Sequence, residues 1–254
     1  MLQVWQPDHV IVEIEGPVRV ASGPDLLGAV PPVVADWELL QVSLRVPYGE
    51  LKAVDVAADA VTVRPEDAAG EAAGFALDAD HIEIHQREGA SAPDGSAMDV
   101  AMSAQNFQIA YPGGPAVAPL DLAMTATATA LTRDLLAHPQ DFLPRWQEAG
   151  GTLTISDLSV RQDESRLSAR GELTPEPEGR VRGEVTVALA GPDVARPGAT
   201  QAFGGAAPML ATALAFIGER TEIEGRPAVQ GKLSLRDGKA FVGMIPLGRL
   251  PRLY

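Results

Sequence analysis

The sequence predicts a mainly β fold: an extended, curved antiparallel sheet, half-pipe or open-barrel-like, with two short-to-medium helices. Three observations carry this. Apolar residues alternate with polar ones over most of the chain, the pattern of a sheet with one buried and one wetter face. Several of the alternating runs change phase halfway. Only two segments carry a helical stripe.

The alternating runs come in order. Val10, Val12 and Ile14 share a face, as do Leu40, Val42, Leu44 and Val46. Leu120, Leu122, Met124, Ala126 and Ala128 form an unbroken run. Val181, Val185, Val187 and Leu189 form another, and Val229, Leu233 and Leu235 a last one. Four runs switch phase. Val54 and Val56 give way to Val61 and Val63; Phe75 and Leu77 to Ile82 and Ile84; Met98, Val100 and Met102 to Phe107, Ile109 and Tyr111; Leu153 and Ile155 to Leu158 and Val160. The switches fall at Ala58-Asp59, Ala79-Asp80, Gln105-Asn106 and Ser156-Asp157. One extra residue on a strand is a β-bulge, which bends and twists it. Successive bulges predict a curved sheet; the alternative is two short strands joined by a kink at each site.

The first helix is expected between Thr132 and Gly150, with Pro139 at a helical start and Phe142, Leu143 and Trp146 as its apolar stripe. Pro144 should kink or shorten it. The second runs from about Ala206 to Ile217. Loops fall at Ser22–Pro32, Arg64–Gly74, Glu88–Ser96, Tyr111–Pro119, Pro175–Gly179 and Gly191–Gly205. The chain divides into an N-terminal part of the sheet, 1–131, and a C-terminal part, 132–254, continuous with it and built of a helix, hairpins and a closing helix and strand.

Composition excludes some functions. A formal charge of −14 repels phosphate backbones and anionic membrane surfaces, so no nucleic-acid partner is expected. No cysteine is present, which removes disulfides, thiolate metal sites and Cys nucleophiles. The start has neither a basic region nor an apolar core, so no signal peptide or membrane span is read there. His81 and His85 are the closest histidine pair. On a strand they stand about 13 Å apart, too far for one metal ion. The Asp-rich turn 92–99 lacks the spaced ligands of a calcium loop. Gly204-Gly205 precedes a helix and reads as chain entry. No nucleophile elbow or phosphate loop is found. No catalytic residue, cofactor or metal is assigned.

The small residues of 120–131 are more informative. Opposite Leu120, Leu122 and Met124 lie Ala123, Thr125, Thr127, Thr129 and Leu131. A strand whose second face is this weakly polar is covered on both sides or lines a groove that accepts an acyl chain. These five are the candidate groove lining, unless a helix fills the space.

The C-terminus ends on an apolar run. Asp237-Gly238 between alternating segments predicts a type I′ hairpin, with the residues after it laid over the core. The segments "LPRWQEAGGTLTISDLSV", "LSARGELTPEPEGRVRGEVTVALAG" and "LRDGKAFVGMIPLGRLPRL" resemble domain of unknown function 2125, a family of Gram-negative bacterial envelope proteins. The matching positions are Trp146, Gly150, Gly151, Gly171, Leu173, Gly179, Gly183, Asp237, Gly238, Gly243, Pro246, Leu247, Gly248, Leu250 and Pro251, within Leu143–Leu253. The resemblance implies a periplasmic protein, or one anchored in the membrane and facing the periplasm. Family members begin with an anchor or signal that this chain lacks, so Met1 reads as a truncated start. The family supplies no catalytic residues. The expected function is a non-enzymatic envelope protein, a scaffold or a carrier of a lipid or other apolar ligand, with an envelope protein as a further partner. The alternatives are a structural or protein-interaction module without ligand, and a hydrolase with an unrecognised site.

Overall fold

In a computed structural model of the chain, the described residues are 8–20, 32–65, 76–89, 96–110, 118–132, 135, 141–191 and 207–253. The readings at Phe75, Tyr111, Pro139 and Gly204-Gly205, and most of the expected loops, lie outside them.

The N-terminal strands are β1 (His9–Glu13), β2 (Val18–Val20), β3 (Val33–Asp36), β4 (Leu39–Arg45), β5 (Ala53–Pro65), β6 (Ala76–Glu88), β7 (Met98–Ala110) and β8 (Leu120–Ala128). Helix α1 (Phe142–Glu148) follows. Next come β9 (Leu153–Gln162), β10 (Ser165–Glu176), β11 (Arg180–Ala190), α2 (Ala207–Ile217), β12 (Glu219–Ile223), β13 (Arg226–Arg236), β14 (Lys239–Val242) and β15 (Ile245–Arg249). All the strands belong to one open antiparallel sheet in the order β1-β4-β5-β6-β7-β8-β9-β10-β11-β13-β14-β15. β3 pairs with the far end of β5, β2 pairs with β3, and β12 with β13.

The phase switches explain the registers. In β5, β6 and β7 the irregular residues Ala60, Asp80 and Asn106 stand opposite one another, and the pairing resumes beyond them without a shift. Each of these strands carries the extra residue, so the insertions cancel. β8 alternates without a break and has no extra residue. Its register with β7 therefore shifts between Ala104 and Phe107. β9 carries an extra residue at Ser156-Asp157, and its registers with both β8 and β10 shift there. Ala60 and Asn106 have positive φ, 51° and 50°. Asparagine tolerates this conformation because its side chain bonds locally. Here the Asn106 backbone N–H donates to Asp121 Oδ1 at 3.0 Å, and its amide donates to the Asp80 carboxylate. A line of bends thus runs across the strands, the physical origin of the curvature.

Directly opposed residues share a face. One transverse row runs Val12, Val42, Val56, Ile84, Met102, Met124, Leu158, Ala169, Val187 and Gly231, one residue per strand. The next row runs Leu40, Ala58, Ile82, Ala104, Leu122, Val160, Leu167, Leu189 and Val229. No charge interrupts either. The sheet has one continuous apolar face.

Helices cover parts of that face. On the C-terminal side α2 packs on β13, β14 and β15. Leu214 is fully buried, and it enters the space left by the missing side chain of Gly231, where a Cβ would lie 2.5 Å from Leu214 Cδ2. Leu214 shares a core with Ala213, Ala240, Val242 and Leu247, with Leu250 packed against it. At the end of β7, β8 and β9, Trp146 forms a second core with Leu131 and Leu135, against Met98, Ala128 and Leu153. Pro144 lies in the first turn of α1, where its missing N–H removes no helical bond, and α1 spans only seven residues.

Candidate functional site

The apolar face is the candidate binding surface. Among the described residues no helix packs extensively on β1, β4, β5 or β6. There Val10, Val12 and Ile84 remain 47%, 42% and 39% exposed. The contiguous aliphatic side chains of this surface belong to several strands far apart in sequence, and only their registers bring them together. Single surface aliphatics need no explanation, but contiguous rows of them mark contact with something apolar.

The opposite face is polar and carries an acid–imidazole ladder. Asp55 and Asp59 on β5 face His85 and His81 on β6, with Ala57 opposite Glu83. His85 Nδ1 lies 2.9 Å from Asp55 Oδ1, and its Nε2 3.5 Å from Glu83 Oε2. His81 Nε2 lies 3.1 Å from Glu83 Oε1, and its Nδ1 2.6 Å from Asp59 Oδ1. The small side chain of Ala57 leaves Glu83 room to reach both rings. The hydrogen bond to Asp59, then that to Glu83, raises the pKa of His81. The hydrogen bond to Asp55 raises that of His85, with Glu83 adding to it and burial opposing. The two imidazoles hold the Glu83 carboxyl below its ordinary range. Among the described residues no group of three or more His, Cys, Asp or Glu is placed to hold a metal ion.

The five residues of the expected groove divide. Thr125 and Thr127 line a cavity of about 620 Å³ on the polar face, beside Asp55, His85, Arg87 and Asp99. Thr127 Oγ1 donates to Asp99 Oδ1 at 2.7 Å. Ala123 lies on the same face, opposite Ser103. Thr129 supplies its carbonyl to Trp146, and Leu131 is buried beside that indole. The apolar rows instead take the other residues of β8, Leu122 and Met124, with their partners across the sheet. The small, weakly polar face of β8 resembles a groove lining only when that strand is taken alone. The acids and histidines that sit beside it come from β5, β6 and β7.

The family-motif residues are architectural. Gly150, at φ 72°, ends α1, and Gly151 clears room for Trp146. Asp237 and Gly238, at φ 53° and 67°, make the β13–β14 turn, and Gly243, at φ 59°, turns β14 into β15. Gly248 sits opposite Ala240, where the β14–β15 register shifts. Pro246 lies on the outermost strand, where no donor is required. Pro251 belongs to an extension in which Leu250 N–H donates to the Gly238 carbonyl and Leu253 N–H to that of Gly179. Leu247 and Leu250 join the core, whereas Met244 is 94% exposed.

Fold and surface together define a class: an open, curved antiparallel sheet with one apolar face that the helices of the described residues roof only in part. A family model described as "Uncharacterized protein conserved in bacteria (DUF2125)" matches residues 1–251, and the chain belongs to that family. No curated protein and no solved structure matches the chain. No helix of the described residues is long and apolar enough to cross a membrane.

Proposed function

We propose that this protein is a non-enzymatic bacterial envelope protein that carries a lipid-like ligand, with acyl chains laid along the apolar trough of β1 and β4 to β8. The observation that supports this reading is the pair of uncharged transverse rows, on which, among the described residues, no helix packs extensively over β1, β4, β5 and β6. Covering such a surface with an acyl chain contributes about 0.8 kcal/mol per buried methylene, so a chain of ordinary length gives usable affinity. A periplasmic location, free or anchored, suits a carrier between membranes.

Native mass spectrometry of gently purified protein tests the reading, together with displacement of a fluorescent fatty acid. A carrier retains lipid at near-stoichiometric occupancy and binds the probe. Ile84→Asp, which places a charge in the trough at a half-exposed position, should weaken probe binding at least ~10-fold with the fold intact. Protein that holds no lipid and binds no probe would instead be a structural or protein-interaction module.

A further inference from the structure

We infer that β1 is a self-pairing edge, through which two copies of this chain join their sheets in antiparallel register about Ile11. The inference does not depend on what the trough holds.

The backbone comes first. Ile14 N–H donates to the Leu40 carbonyl at 2.9 Å, and Val46 N–H to the Asp8 carbonyl at 2.7 Å. The even-numbered residues of β1 therefore direct their amides and carbonyls at β4. In an antiparallel ladder the alternate residues direct theirs the other way. Those of Ile11 and Glu13 face outward, and among the described residues β1 is the terminal strand of the sheet. Such an edge is a template for another strand.

The side chains agree. Edges that must stay single are blunted by charges, above all Lys, by Pro, by bulges or by shortness; His9–Glu13 is short but holds no Lys, Pro or bulge, and its one acid, Glu13, stands at its end. Instead Ile11 is 62% exposed, flanked by the half-exposed Val10 and Val12. The sequence is also self-complementary. A two-fold axis through Ile11 sets His9, whose Nε2 lies 2.7 Å from Ser43 Oγ, against the carboxylate-bearing Glu13 of the second copy. It sets Val10 against Val12 of the second copy on the apolar face. The transverse rows then continue from one copy into the other, and two troughs become one. The other end of the sheet is protected: Pro246 in β15 lacks an N–H. An isologous β1–β1 contact is therefore favoured over a head-to-tail one, and it closes at two copies.

A five-residue strand pair is a small interface, so the dimer should be weak. Each copy carries a charge of −14, so salt should strengthen it by screening. Sedimentation equilibrium at up to about 100 μM, roughly the range in which so small an interface is populated, should show a monomer–dimer equilibrium that tightens with salt. Ile11→Lys changes an exposed side chain and puts two cations on the axis. It should weaken dimerisation at least ~10-fold with an unchanged melting temperature. Because the chain has no cysteine, Ile11→Cys adds a single thiol, which mild oxidation should link into a covalent dimer. Ile14→Cys, displaced along the strand from the axis, should link far less. A monomeric wild-type chain, an Ile11→Lys variant that dimerises like wild type, or equal cross-linking at positions 11 and 14 would each overturn the inference.

Discussion

Trp146 and Gly151 share one volume. A Cβ built on Gly151 would lie 2.0 Å from the indole Nε1 of Trp146, and that same Nε1 donates to the Thr129 carbonyl at 2.7 Å. Gly151 has an ordinary backbone conformation, so the constraint is steric. The tryptophan, the glycine and the carbonyl at the end of β8 form a single lock that fastens α1 to the sheet.

Trp146→Ala should cost about 3–5 kcal/mol, the usual loss for a buried large aromatic. Gly151→Ala should cost about 1–3 kcal/mol or more, since the rigid ring must move and its hydrogen bond breaks. The double variant should be little worse than Trp146→Ala alone, because the clash disappears with the indole. Denaturant unfolding of the three variants checks this; additive losses would show that the two residues act separately.

Asn106→Val should destabilise by about 1–3 kcal/mol, since a β-branched residue resists positive φ and the side-chain amide contact with Asp80 vanishes. Asn106→Gly should lose less, because glycine retains the backbone freedom. Equal melting temperatures for the two variants would contradict the role given to Asn106 in the line of bends.

Alternation, the phase switches and the Asp237-Gly238 turn were legible in the sequence because each is local. Even the register shifts follow from the phase switches: β7 and β9 carry one, β8 and β10 do not, and the shifts fall between β7 and β8, β8 and β9, and β9 and β10. What escaped was pairing at a distance. Along the chain His81 and His85 show only their spacing on one strand, but two of their acids, Asp59 and Asp55, stand across the β5–β6 pair. The matching four-residue spacings, Asp55 to Asp59 and His81 to His85, were the available signal. The trough was likewise divided among strands whose order had to be known first.

The ladder makes stability depend on pH. The pKa values of His81 and His85 are raised above 6.5 in the folded protein. Their contribution is full below the unfolded value and is lost as pH rises through the folded values. Glu83 is lowered below 4.5, so its contribution is present above that value and lost as pH falls through the folded one. The ladder therefore stabilises most between the Glu and His ranges. Exposed pairs contribute under about 1 kcal/mol each. Relative to a His81→Asn/His85→Asn variant, the wild type should melt a few degrees higher near about pH 5.5 and lose that advantage by about pH 8. A constant difference across this range would remove the ladder from the account.

Truncation after Gly238 removes Ala240, Val242 and Leu247 from the core around Leu214 and leaves β13 with an open edge. The product should aggregate or unfold. A monomeric truncated chain with an unchanged melting temperature would mean that residues 239–254 are a docking tail and not part of the fold.

The central claim is that the apolar face of β4 to β8, and not the polar one, holds an acyl chain. Photo-cross-linking from the two faces tests it most directly. A benzophenone side chain at Met102, in the middle of the trough, and one at Thr125, on the polar face, are irradiated in bacterial cells, and the intact protein is weighed. The account predicts a lipid-mass adduct from position 102 and none from position 125. Adducts from position 125 alone, or none from position 102, would contradict it.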